Sequence, residues 1–189
     1  MRLFVALSIP SEVRENIAAL IRALRSIDSK PRWVNPENLH VTLKFIGEVE
    51  SQLVPAICEA LAAIRVADPL PLALHGVGFF PNARRPSVAW IGIEAPPTLA
   101  FLASEINRLL TPLGIPPETK PLVPHLTIAR FNENRLSSAL QAEIEKWKDH
   151  DVGEYNSEEI HLIESRLKSS GAEYTTLRSF HFAQPEAES

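Results

Sequence analysis

The chain has 189 residues, 45% hydrophobic and 22% charged, close to globular averages; this excludes disordered, coiled-coil and collagen-like classes and leaves one domain or two small fused lobes. Its 19 Lys and Arg against 23 Asp and Glu give a net charge of −4, which argues against wrapping long nucleic acid. A local cationic pocket for one phosphate stays compatible with that balance.

Residues 1–10, MRLFVALSIP, are followed by charged SEVREN where a small-residue cleavage site would stand, so the opening reads as a buried strand over Leu3–Leu7 and not as a signal peptide. Ser11 is expected to cap a helix whose apolar positions Val13, Ile17, Leu20, Ile21 and Leu24 repeat at helical spacing. After Pro31 and Pro36, LHVTLKFIG alternates and predicts a half-buried strand, with Leu39, Val41, Leu43 and Phe45 on one face and His40, Thr42 and Lys44 on the other. A second helix is expected from Ser51 through Ile64, then a strand over LPLALHGVGFF. The second half reads as strand SVAWIGIE, a helix over Leu99–Leu113, strand PHLTIARF, a helix over Leu136–Trp147, strand EIHLIESRL and a last strand YTTLRSFHF.

The order βαβαβ therefore occurs twice. HVT begins at residue 40 and HLT at 125, 85 residues apart, and Pro10 and Pro96 each follow a first strand. The expectation is an α+β fold: one bilobal domain over 1–189, an internal repeat of about 1–85 and 86–189, antiparallel sheets facing a central cleft, and pseudo-twofold symmetry. Cys58 is the only cysteine, so an internal disulfide or a CxxC zinc cage cannot form, and the cytoplasm is the expected compartment. No apolar run approaches the ~18 residues of a membrane span. Neither GxGxxG nor GxxxxGK[ST] occurs, so no Rossmann or P-loop nucleotide cradle is present.

With six His and seven Thr, chance would give well under one His-x-Thr, yet two occur, at equivalent places in the repeat. In each the pleat puts His and Thr on one face, roughly 7 Å apart along the strand. A pseudo-twofold axis would present two imidazoles and two hydroxyls to one ligand. Two rings with ordinary pKa values near ~6.5 suit paired acid and base work at neutral pH, as water attack on a phosphodiester demands. The hydroxyls of Thr42 and Thr127 can donate to non-bridging phosphate oxygens. Arg130 could add a bidentate phosphate contact, but strict alternation turns it away from the His125 face, so that role needs a bulge or the strand end.

The pair His40-Val-Thr42-Leu43 and His125-Leu-Thr127-Ile128 resembles the tandem HxTx signature of the two-histidine (2H) phosphoesterases. The flanks MRLFVALSIP, RWVNPENLHVTLKFIGEV, PHLTIARF, and LIESRL followed by GAEY are similar to the RNA 2′,3′-cyclic phosphodiesterases, also called 2′-5′ RNA ligases. The resemblance implies a metal-free cleft without cofactor, hydrolysis of RNA 2′,3′-cyclic phosphate to a 2′-phosphate end, and reversible 2′-5′ ligation without ATP. It also implies that His40 protonates the leaving O3′ and His125 orients the water, with Phe45 and Arg130 near the nucleoside. RNA ends or nucleoside 2′,3′-cyclic phosphates are the expected partners; no membrane or protein partner is expected, and the chain is expected to be a monomer.

His75, His161 and His181 lie in strands without a Thr two places on, and His150 lies in a charged loop; all four read as bystanders. None makes HExxH or another zinc spacing. Arg84 and Arg85 form a loop pair that is solvated or meets an RNA end. Lys44 reads as a phosphate ligand or a solvated charge. Phe45 sits with the apolar face of its strand, which favours a core position, and Trp33 is the tryptophan expected nearest the cleft. Two other readings stay open: a non-catalytic module that binds a nucleotide or RNA end in the same cleft, and a metal-dependent hydrolase.

Overall fold

A computed structural model describes residues 1–133, 135–168 and 171–182. Strand β1 (Arg2–Ser8) leads into α1 (Ser11–Ile27), whose positions Val13, Ile17, Leu20, Ile21 and Leu24 are all buried. Pro10 stands at the cap position and Ser11 is already helical, so no side chain caps the helix, contrary to the expectation for Ser11. The ring of Pro10 fixes φ at −58° and delivers the chain into the helix without one.

There follow β2 (Arg32–Trp33), a 3₁₀ turn (Pro36–Asn38), β3 (His40–Glu48), α2 (Val54–Ala62) and β4 (Leu70–Phe80). The second half comprises β5 (Val88–Glu94), α3 (Pro97–Leu110), β6 (His125–Arg130), α4 (Ser138–Lys146), β7 (Asp151–Ser157), β8 (Glu159–Lys168) and β9 (Gly171–His181). Strands β2 and β7 escape the periodicity argument for physical reasons. The first spans two residues, and the second, DVGEYNS, is an edge strand with little apolar content.

The strands form two antiparallel sheets, ordered β3-β1-β8-β9 and β2-β6-β5-β4-β7. The strand that closes each half crosses to the other half's sheet: β4 pairs with β5, and β8 pairs with β1. The helices interlock in the same sense, α1 against α4 and α2 against α3. Each lobe is thus assembled from both halves of the sequence and is not a contiguous segment. The last residues of the second repeat, 183–189, lie outside the described residues.

Leu3, Val5 and Leu7 of β1, Val41 and Leu43 of β3, and Leu126 and Ile128 of β6 share one continuous core. Each fully buried leucine, such as Leu7, Leu24 or Leu74, contributes about 1.5–3 kcal/mol. The alternate residues of β1, Phe4 and Ala6, form a small separate cluster with Ile163 and Tyr174 on the opposite face of the first sheet. That face is one wall of the cleft.

Candidate active site

Both His-x-Thr strands are bulged at the same step. In β3, Thr42 stands opposite Ala6 and Lys44 opposite Val5, so Leu43 is the extra residue. In β6, Thr127 stands opposite Trp90 and Ala129 opposite Ala89, so Ile128 is the extra residue. A bulge shifts the pleat by one position, so every later side chain changes face. Leu43 and Lys44 are consequently both buried, as are Ile128 and Ala129, and the next residue of each strand, Phe45 or Arg130, joins the histidine face.

This corrects two expectations. Phe45 is 58% exposed and lines the cleft instead of entering the core. Lys44 is 2% exposed; its Nζ donates to the Pro116 carbonyl and lies 3.9 Å from Glu118 Oε1. It lines the cleft from beneath, ties down the loop between α3 and β6, and is not a solvated charge. Arg130, by contrast, gains the cleft through the very bulge its phosphate role required.

His40 and His125 are half-buried and held alike: His40 Nδ1 lies 2.8 Å from the Asn38 carbonyl, and His125 Nδ1 lies 2.8 Å from the Val123 carbonyl. A carbonyl only accepts, so Nδ1 must carry the hydrogen in both rings, and Nε2 is left to gain or lose a proton. The anchoring group is a main-chain oxygen two residues upstream in each case. It has no side-chain signature, which is why sequence reasoning could not see it. Asn38 also donates from Nδ2 to the Ala172 carbonyl at 2.7 Å, fastening the start of β9 beside His40.

The two rings differ in what surrounds them. His40 packs against Phe4, with centroids 4.6 Å apart, and against the edge of Tyr174 at 5.1 Å, whereas His125 meets the edge of Phe80 at 5.0 Å. Burial lowers the His40 pKa from the ordinary imidazole value. The hydrogen bond that His40 donates to the Asn38 carbonyl opposes that shift, and the charge of Arg130 adds to it.

One cleft of about 960 Å³ is lined by His40, Thr42, Phe45, His125, Thr127 and Arg130, so the fold brings all six expected site residues together. Both threonines are half-buried, and among the described residues neither hydroxyl has a hydrogen-bond partner within the protein. Arg2, Lys120 and Tyr174 also line the cleft and were missed: Arg2 and Lys120 lie outside the His-x-Thr strands, and Tyr174 is brought in by the β8–β9 hairpin.

Trp33 does not line the cleft; it packs on the core and donates its Nε1 hydrogen to the Asp28 carbonyl at 2.9 Å. His161 is buried between Ser179 and Ser8, with ring nitrogens 2.8 and 3.2 Å from their hydroxyls, and burial lowers its pKa. His75 and His181 stand near Glu94 and Glu159, and His150 packs on Trp147. Among the described residues no three His, Cys, Asp or Glu form a group able to hold a metal ion, and no helix is long and apolar enough to cross a membrane.

A profile of LigT-like phosphoesterases matches residues 7–90. The RNA 2′,3′-cyclic phosphodiesterase of Methanothermobacter thermautotrophicus is 32% identical over 181 residues, spanning 95% of this chain and 98% of that protein. The one from Methanocaldococcus jannaschii is 35% identical over 180 residues, spanning 95% of this chain and 100% of that protein. Among solved structures, E. coli LigT complexed with 3′-AMP aligns with a TM-score of 0.78 at 27% identity, covering 97% of this chain and 98% of LigT. A protein of Thermus thermophilus aligns with a TM-score of 0.77 at 30% identity, covering 97% of this chain and 99% of that one. Over nearly its whole length, the chain belongs to the LigT-like phosphoesterases, the family of the RNA 2′,3′-cyclic phosphodiesterases.

Proposed function

We propose that the cleft hydrolyses the 2′,3′-cyclic phosphate of an RNA end or nucleoside to a 2′-phosphate through paired histidines. Hydrolysis of a cyclic phosphodiester is the activity of the family. The assignment to these residues rests on one observation: two rings with Nδ1 fixed on a carbonyl and Nε2 left to exchange a proton, on bulged strands that share one cleft.

His125 takes a proton from water as the water oxygen bonds to phosphorus. The P–O3′ bond breaks, and His40 gives its proton to the departing O3′. Thr42 and Thr127 donate to the non-bridging oxygens and Arg130 holds the phosphate, opposing the charge that builds there. The substrate's anion also restores the proton affinity that burial and Arg130 take from His40, so the acid is charged when it is needed. With a 5′-hydroxyl in place of water as the nucleophile, the same groups support 2′-5′ ligation without ATP: the P–O5′ bond forms as the P–O3′ bond breaks, and the reverse step regenerates the cyclic phosphate and the 5′-hydroxyl. The step needs neither a metal ion nor a nucleotide cofactor.

In this reading the chain is one bilobal domain that acts as a cytoplasmic monomer, and its halves, 1–85 and 86–189, descend from one duplicated unit. The matched bulges favour the duplication. The test is phosphorus NMR of the product from a nucleoside 2′,3′-cyclic phosphate. A 2′-phosphate is expected; a 3′-phosphate, or binding without turnover, contradicts the proposal.

A further inference from the structure

Arg130 is one member of a row that crosses the second sheet. Arg32 stands opposite Arg130, Arg130 opposite Val88, and Val88 opposite Phe80. Directly opposed residues of antiparallel strands share a face, and four strands span about 14 Å. Phe80, Val88 and Arg130 line the cleft, so Arg32 carries the same face outward on the edge strand β2.

At the other end of the row, the loop after Phe80 is closed by Ser87, whose N–H and hydroxyl both donate to the Phe80 carbonyl. Within it, Asn82 Oδ1 accepts from the backbone N–H groups of Arg84 and Arg85, a turn that sets two adjacent arginines in the loop directly following the cleft-lining Phe80.

The molecule carries 23 acidic residues, yet none falls between Pro69 and Ile93 or between Thr119 and Asn132, stretches that contain β4, β6 and all of β5 but its last residue, Glu94. Some cations elsewhere pair with carboxylates, as in Arg14–Glu37, Arg108–Glu105 and Lys146–Glu143. Arg32, Arg84, Arg85 and Arg130 are all exposed, and among the described residues no carboxylate or hydrogen-bond acceptor engages their side chains. The lack of acids in these stretches leaves the charge of Arg84, Arg85 and Arg130 without a carboxylate in the same stretch to offset it.

We propose that this row and its adjoining loop form a phosphate track for the RNA chain on the 5′ side of the reacting end, with Arg32, Arg84 and Arg85 holding internucleotide phosphates. The proposal rests on the function assigned to the cleft. It makes the preferred substrate an oligoribonucleotide and not a mononucleotide. Guanidinium groups suit the task because their forked donors match phosphate oxygens, and a flexible single strand can follow a row without base readout.

The test uses a pentaribonucleotide ending in a 2′-phosphate, which does not react, and a nucleoside 2′-phosphate. Binding of each is measured against salt for the wild type, for Arg32→Ala/Arg84→Ala/Arg85→Ala, and for the corresponding triple lysine variant. The wild type should favour the pentamer by about tenfold or more at low salt, and the alanine variant should lose that preference. Its slope of log affinity against log salt should be shallower by about 2, the effect of three lost single-strand phosphate contacts. The lysine variant should keep most of the slope, and all three proteins should bind the mononucleotide alike. An alanine variant with an undiminished preference and slope would overturn the track and leave these arginines to an acidic protein partner. Turnover of the mononucleotide cyclic phosphate, measured in parallel, reports on the cleft itself, so the two readings fail separately.

Discussion

The guanidinium of Arg130 acts on His40 across the cleft and disfavours the charged imidazole, reinforcing the effect of burial beneath Phe4 and Tyr174. With its pKa lowered, His40 takes up its proton only at a pH below the ordinary 6.5 in the free enzyme. Lowering the pKa of His40, the acid of the proposed step, should therefore draw the kcat/KM profile toward lower pH. The whole profile should be bell-shaped, with an optimum within about one unit of neutrality. The limbs belong to the coupled pair and not to either ring alone. Arg130→Gln should lower the rate and move the profile toward higher pH, because the charge that opposes His40 protonation is gone. A profile that rises to a plateau and never falls would leave only one titrating group in the reaction.

Thr42→Ala and Thr127→Ala should each lower kcat by about 10- to 10³-fold, the range for a lost donor to transition-state charge. Neither hydroxyl titrates, so the limbs should move by less than about half a unit. Rate–pH profiles of both variants check this, and a displaced limb would show that the threonine acts through a histidine.

Lys44→Met removes the donor that the Pro116 carbonyl receives and the cation near Glu118. Leaving that carbonyl without its partner should cost about 1–3 kcal/mol of stability. The urea midpoint should fall accordingly, while the phosphate site keeps its ligands. Unchanged stability with a large loss of substrate affinity would return Lys44 to the site.

The paired histidines and threonines were legible because they repeat, and because His-x-Thr on any strand shares a face whatever the tertiary fold does. Positions beyond them were not. Phe45 and Lys44 traded faces because a bulge adds one residue to a ladder, and nothing in LHVTLKFIG announces it. The same event in LTIAR turned Arg130 inward. Periodicity gave the helices and long strands but not which sheet they join: β4 and β8 cross between lobes through pairings that only tertiary packing selects. The carbonyls of Asn38 and Val123 that fix both tautomers belong to the backbone, which every residue shares.

Turnover should survive excess EDTA and should not require a nucleotide, because in the proposed step all proton transfers run through imidazoles and all phosphate contacts through Thr42, Thr127 and Arg130. Loss of activity on chelation, recovered by adding a divalent ion, would assign the water activation to a metal.

The central claim is that His40 and His125 both move protons in the hydrolysis, and kcat of the two alanine variants on a nucleoside 2′,3′-cyclic phosphate tests it most directly. Each should lose about 10²-fold or more, the effect of removing a general acid or base, with the thermal unfolding midpoint close to wild type. If a folded His40→Ala or His125→Ala enzyme kept more than about a tenth of the wild-type kcat, the paired-histidine mechanism would be contradicted.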